Sequence, residues 1–155
     1  HGQGVRAFPP RRAGRGAAMS DIETIARFHE ACKGICFLAT CEGDRPRLRP
    51  MSPLAVEGKI VWVAAAADSP KMAQIAANPN VELCYLAPDH DHLRLRGTAE
   101  ACGDPAVKKR MWDSYPLMHR YFQGPDDPQY ALLRITVTEA MAMRAMSLEY
   151  QRLEL

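Results

Sequence analysis

The sequence lacks several features that would place it in a specialised class. No apolar run approaches the roughly 20 residues that a membrane-spanning helix needs, because the longest one, residues 60–67, ends at Asp68. No glycine-rich dinucleotide fingerprint and no internal repeat occur. With 155 residues, 47% of them hydrophobic and 25% charged, the chain is expected to form one globular domain that needs no membrane.

The sequence also lacks a large excess of positively or negatively charged residues. The 20 basic and 18 acidic residues give a net charge of +2, which is too balanced for a nucleic-acid-binding protein. The excess comes from residues 1–18, which hold four arginines and no acid. This glycine- and proline-containing segment is predicted to be a disordered arm, or tag or upstream sequence. Residues 19–155 are predicted to be the folded domain.

The five cysteines are odd in number and form no C-x-x-C pair. We therefore expect reduced, mostly buried thiols and a cytoplasmic protein. Cys32 and Cys36 lack the two further ligands that a zinc site would need, so no metal is predicted. His29 lies one helical turn before Cys32, which leaves a cysteine nucleophile as a minor alternative.

Short strands joined by turns dominate the rest of the pattern. Ser20 and Glu23 have the spacing of a capping box and predict a helix that ends near Gly34. Arginines at every second position from 45 to 49 predict a strand over residues 46–56 with one solvent-exposed face and one buried face. Further strands are predicted over residues 35–40, 60–65, 81–86, 92–102 and 130–145. Because the intervening helices are short, the predicted fold class is mainly β (α+β), an antiparallel barrel with peripheral short helices.

Three segments carry residues that could bind a cofactor. The proline-containing strand at residues 49–54 leaves backbone groups unpaired, and such groups can hydrogen-bond a flat heteroaromatic ring. Ser69, Pro70 and Lys71 open a predicted helix, where free N–H groups, a hydroxyl and an ammonium suit a phosphate. The third segment is the strand at residues 92–97. Each segment alone is more often structural, as a helix cap or a solvated strand face.

Taken in order, these segments resemble the pyridoxamine 5′-phosphate oxidase-like FMN-binding split barrels. The similarity is greatest to short bacterial members of the general-stress and nitroimidazole-resistance type, and it covers about residues 22–138. The motifs that carry the resemblance are FLAT at 37–40, DRPRLRPM at 44–51, GKIVWV at 58–63, SPK at 69–71, NPNVEL at 78–83 and LRGTAE at 95–100.

The resemblance implies an antiparallel split β-barrel that binds FMN at the seam of a homodimer and acts on a small molecule. Arg49 and Lys71 would neutralise the phosphate, and His92 would reach the ring from the other subunit. The resemblance does not imply a catalytic residue. The full set of implied cofactor contacts is Arg49, Pro50, Met51, Ser52, Leu54, Ala64, Ala65, Ser69, Lys71 and His92.

Two departures from the family pattern narrow the expected function. Leu54 stands where true pyridoxamine phosphate oxidases carry a substrate-binding lysine, and residues 143–155 contain no match to their arginine motif. We therefore expect an FMN-dependent oxidoreductase of another substrate. Its substrate side is expected within residues 113–129, where Tyr115, Met118, His119 and Tyr121 either line that side or pack the outer helices.

Two alternatives of other classes remain open at this point. One is a non-enzymatic binder of flavin, FAD, deazaflavin or haem, with His92 or His119 as the candidate haem ligand. The other is a dimeric stress protein without a cofactor. Absorbance of the isolated protein and titration with FMN distinguish these alternatives.

Overall fold

The computed structural model describes residues 20–155, so the arm predicted for residues 1–18 lies outside the described part. The helices are α1 (Asp21–Ala31), α2 (Pro70–Ala77), α3 (Pro105–Ser114) and a 3-10 helix (Pro116–Arg120). The strands are β1 (Cys36–Glu42), β2 (Arg45–Met51), β3 (Ala55–Glu57), β4 (Ile60–Ala66), β5 (Asn80–Leu86), β6 (His92–Ala101), β7 (Tyr130–Met143) and β8 (Gln151–Leu153). No helix among these is long and apolar enough to span a membrane.

Helix α1 begins at the predicted capping box. The backbone N–H of Ser20 donates to Oε2 of Glu23 over 2.8 Å, and the backbone N–H of Glu23 donates to Oγ of Ser20. These two bonds satisfy N–H groups that a helix start otherwise leaves without partners. The helix then buries Ile25 and Phe28 against the sheet, which fixes α1 across one end of the core.

One antiparallel sheet of eight strands forms the body of the domain. Its order is β2-β1-β5-β6-β7-β4-β3, with β8 paired to β7 beyond β4. The described strand path does not close, since β2 and β3 lie at its two edges. The mainly β, antiparallel split-barrel class predicted from sequence is therefore confirmed.

The predicted strand over residues 46–56 is divided in two. Strand β2 ends at Met51 and β3 begins at Ala55, with Ser52, Pro53 and Leu54 between them. Pro53 has no N–H to donate to a ladder, so the pairing breaks there. The backbone N–H of Leu54 then donates to the carbonyl of Trp62 over 2.7 Å, which returns the chain to the sheet beside β4.

The core consists of two apolar clusters. The larger lies inside the barrel and includes Phe28, Leu95 and Leu133, all without solvent exposure. The smaller lies under α3 and the 3-10 helix, around Met111 and Met118. The cavity described next lies beside this smaller cluster, because Leu54 and Met118 belong to both.

Candidate functional site

A cavity of about 410 Å³ lies where the β2–β3 break meets the end of β4. Its volume falls within the range of roughly 300–1,000 Å³ typical of small-molecule pockets. The 3-10 helix and the residues after it form the opposite wall. The lining residues are Met51, Ser52, Leu54, Ala64, Ala65, Ala66, Lys71, Leu117, Met118, Tyr121 and Phe122.

Six of the ten cofactor contacts expected from sequence line this cavity. They are Met51, Ser52, Leu54, Ala64, Ala65 and Lys71. The Pro53 break brings Leu54 beside β4, because the backbone N–H of Leu54 donates to the carbonyl of Trp62. The lining is apolar except at Ser52, Tyr121 and Lys71, so a flat apolar ring with a charged end matches its chemistry.

Two basic side chains lie close together at the charged end. Lys71 is in the first turn of α2, and Arg49 is near the end of β2. Burial lowers the pKa of the Lys71 ammonium, and the positive charge of Arg49 lowers it further. Within residues 20–155, neither side chain makes an ion pair with a carboxylate. The pair therefore presents uncompensated positive charge.

The Arg49 guanidinium is held by neutral acceptors. Nη1 donates to Oγ1 of Thr40 over 2.8 Å, with longer bonds to the carbonyls of Leu38 and Arg47. Nη2 donates to Oε1 of Gln74 over 2.8 Å. Burial and the neighbouring Arg47 lower the pKa of Arg49. The Nε–H makes none of these bonds, so it is free to donate to a ligand.

Ser69 occupies the N-cap position of α2 but makes no side-chain cap bond. Its Oγ is buried and has no hydrogen-bond partner among the described residues. An unpartnered buried hydroxyl is costly, and it stands at a helix N-terminus, where N–H groups and the helix dipole favour an anion. Ser69, Lys71 and Arg49 thus fit the phosphate end of FMN.

We predict that Ser69→Ala leaves the flavin-free protein as stable as wild type or stabilises it by up to about 1 kcal/mol. Loss of a working N-cap normally costs about 0.5–2 kcal/mol, whereas removal of an unpartnered buried hydroxyl relieves a desolvation penalty. Chemical denaturation of both proteins measures the difference. A destabilisation above about 1 kcal/mol would show that the hydroxyl caps the helix.

Four of the expected contacts lie outside the cavity lining, and Arg49 and Ser69 are two of them. Pro50 is exposed and faces Phe37 across the β1–β2 ladder. His92 pairs with Met143 at the end of β7, whereas Ala64 pairs with Leu132 near its start. These positions are separated by roughly 30 Å of extended strand. His92 instead makes a 2.9 Å hydrogen bond between Nε2 and the Tyr150 hydroxyl.

The substrate side expected within residues 113–129 is partly brought to the cavity. Met118 and Tyr121 line it, together with Leu117 and Phe122. The side chain of His119 stacks instead on Trp112, with ring centroids 4.2 Å apart. Within one chain, neither His119 nor His92 is therefore placed to ligate a haem in this cavity.

The thiols of Cys32 and Cys36 are not activated. Burial raises the pKa of Cys32 to about 11 and that of Cys36 to about 12, so both stay protonated at neutral pH, opposite to what a nucleophile needs. Nδ1 of His29 bonds the Tyr85 hydroxyl at 3.0 Å. Within residues 20–155, no three His, Cys, Asp or Glu side chains are placed to hold a metal ion.

Thr40 and Gln74 were not predicted from the sequence as site residues. Both are buried beside Arg49. A polar residue directly after the apolar run 35–39 and a glutamine one turn after Lys71 are weak signals. Only the packing of α2 on β1 brings them together.

Comparison with known proteins identifies the family of the chain. A family model described as pyridoxamine 5′-phosphate oxidase matches residues 23–144. General stress protein 26 of Bacillus subtilis is 27% identical over 113 residues, which cover 70% of this chain and 78% of that protein.

Solved structures share the fold. A NimC/NimA family protein from Clostridium acetobutylicum has a TM-score of 0.76 at 24% identity, covering 87% of this chain and 92% of that one. An FMN-binding, pyridoxamine 5′-phosphate oxidase-related protein from Nostoc punctiforme has a TM-score of 0.67 at 15% identity, covering 84% and 87%. A haem-binding protein from Mycobacterium smegmatis has a TM-score of 0.68 at 17% identity, covering 88% and 60%.

Proposed function

The chain belongs to the pyridoxamine 5′-phosphate oxidase family, and we propose that it is an FMN-dependent oxidoreductase acting on a small molecule other than pyridoxamine phosphate. One observation carries the proposal. Lys71 lines an apolar cavity of about 410 Å³. Beside it lie the buried Ser69 hydroxyl, which has no hydrogen-bond partner within residues 20–155, and Arg49, which like Lys71 has no carboxylate partner there. That combination suits a planar ring with a phosphorylated tail.

The chain's own residues would bind the phosphate in three ways. Arg49 offers a free Nε–H, Lys71 acts as a point charge, and Ser69 offers a hydroxyl. A phosphate monoester carries about −1.5 to −2 charge at neutral pH, which the two cations would balance. The ring would contact Met51, Leu54 and the alanines of β4. FMN, when bound, supplies the redox chemistry.

The cavity lining also supports a substrate that carries no phosphate of its own. Among residues 20–155, Lys71 is the charged side chain of this lining, and Leu54 presents methyl groups where the resemblance places a lysine in vitamin B6 oxidases. Met118 and Phe122, from the 3-10 helix and the residues after it, line the opposite wall. If the ring binds here, these side chains would limit the access of water to the reacting atoms. A small, largely uncharged substrate is the class this lining favours.

A homodimer is part of the same proposal. Leu117 and Tyr121 at the cavity are 48% and 72% exposed, so apolar surface remains uncovered at the cavity mouth. His92 lies too far along the sheet to reach its own cavity, and a second copy could bring it there. Light scattering coupled to gel filtration measures the mass in solution. A monomer at micromolar concentration would contradict this part.

The deciding experiment is titration of the flavin-free protein with FMN and, separately, with riboflavin. Quenching of flavin fluorescence gives each dissociation constant, and riboflavin differs from FMN only by the phosphate. We expect FMN to bind at least about tenfold more tightly than riboflavin, since charge-assisted phosphate bonds contribute about 1.5–3 kcal/mol each. No quenching, or equal affinity for the two, would overturn the proposal.

A further inference from the structure

Behind the cation pair lies a hydrogen-bonded network that the proposed phosphate site does not itself include. Thr40 is 2% exposed and Gln74 is 8% exposed. Oγ1 of Thr40 donates to Oε1 of Gln74 over 2.6 Å and accepts from Nη1 of Arg49. Oε1 of Gln74 also accepts from Nη2 of Arg49. Each of these polar atoms is thereby satisfied, although the side chains come from β1, β2 and α2.

The orientation of the Gln74 amide is fixed from the other side. Nε2 of Gln74 donates to Oε2 of Glu42 over 3.2 Å, and the same carboxylate accepts from Nε of Arg47 over 2.8 Å. The bond to Arg47, followed by its charge, lowers the pKa of Glu42, so Glu42 stays ionised and can only accept. The amide nitrogen must face it, which turns the amide oxygen toward Arg49.

Neutral acceptors position a cation without cancelling its charge. Five other arginines of the described chain, Arg47, Arg94, Arg96, Arg110 and Arg134, pair with carboxylates. Arg49 alone among these six is held by a hydroxyl, an amide and carbonyls. Gln74 follows Lys71 by three residues on α2, so the two lie on the same helix face. The network therefore holds Arg49 beside the first turn of α2.

We propose that Thr40 and Gln74 are positioning residues that hold Arg49 toward the phosphate site while leaving its charge available. They would thereby set the preference for a phosphorylated flavin over riboflavin. The inference rests on the proposed FMN binding, but it concerns residues that touch neither the cavity nor the expected ligand. A positioning role predicts that substitutions change the ratio of the affinities for FMN and riboflavin rather than the stability of the protein.

The test measures dissociation constants for FMN and for riboflavin in Thr40→Val, Gln74→Met and wild type. We expect the FMN constant to rise about tenfold in each variant, as one bond to a charged group is lost. The riboflavin constant should stay within about twofold, since riboflavin has no phosphate. Thr40→Ser keeps the hydroxyl and should retain the wild-type ratio. Gln151→Met, at an exposed position in β8, is the matched control.

Each outcome decides between two proposals. A wild-type preference for FMN that survives both Thr40→Val and Gln74→Met overturns the positioning role and leaves FMN binding intact. A wild type with equal affinities overturns the phosphate site, and the positioning role with it. Melting temperatures of the flavin-free proteins report folding. If Thr40→Val does not fold, the comparison of Gln74→Met with Gln151→Met decides the question.

Discussion

Replacing both Arg49 and Lys71 with methionine is expected to raise the dissociation constant for FMN at least about a hundredfold. Each cation contributes a charge-assisted bond of about 1.5–3 kcal/mol to a phosphate, and a factor of ten corresponds to about 1.4 kcal/mol. Methionine keeps a flexible, unbranched side chain, although a shorter one, and removes its charge. Affinity for riboflavin should change less than about threefold. Fluorescence titration with both flavins measures these constants.

The matched control is Arg45→Met combined with Lys59→Met. Both side chains are exposed, and the double change removes the same total charge from the chain. It should leave both affinities near wild type. In addition, Lys71→Met alone should raise the melting temperature of the flavin-free protein by about 1–3 °C, because it removes a partly buried charge and also relieves its repulsion by Arg49. Equal loss of FMN affinity in the control would mean that net charge, rather than a site, binds FMN.

Gly97→Ala is expected to be the most damaging single substitution in the sheet. A Cβ atom at Gly97 would lie 2.1 Å from the carbonyl oxygen of Thr136 and 3.2 Å from Cα of Val137. Both neighbours are backbone atoms of β7, paired across a register shift between Arg96 and Gly97. Since neither can rotate away, we expect a loss above about 3 kcal/mol, or failure to fold.

Chemical denaturation measures the effect of Gly97→Ala. Gly103→Ala is the control, because a Cβ atom there would meet nothing within 4 Å and the backbone φ is not in the left-handed region. That variant should stay within about 0.5 kcal/mol of wild type. Equal stability of the two alanine variants would show that β6 and β7 can separate at this point, contrary to the structure.

Local signals in the sequence predicted the ends of several elements. The start of α1 follows from Ser20 and Glu23, because a capping box needs only four neighbouring residues. Pro70 at the first position of α2 is likewise a local preference. Strand β8 was not predicted, since three residues are too few to show a period of two. The prolines predicted unpaired backbone groups in this segment, but not that Pro53 divides the strand in two.

The candidate site was predictable where residues follow one another and less so where they do not. Ser69 and Lys71 lie in one motif, and the resemblance to a family added Arg49. Periodicity alone could not have joined Arg49 to Lys71, because the two lie on different elements. Thr40 and Gln74 were not predicted as site residues for a related reason. A single polar residue in a strand or helix is ordinarily assigned to solvent, and burial of both follows only from the packing of α2 against β1.

Strand β7 is the element on which the order of folding depends. It pairs with β6 along one side and with β4 and then β8 along the other, although it starts only at Tyr130. While the ribosome is still making the chain, the β3–β4 hairpin therefore has no neighbouring strand, and two strands alone are marginally stable. The strands β2, β1, β5 and β6 can pair as they emerge. The cavity wall formed by β4 gains its second neighbouring strand only after residues 130–136 of β7 have been synthesised.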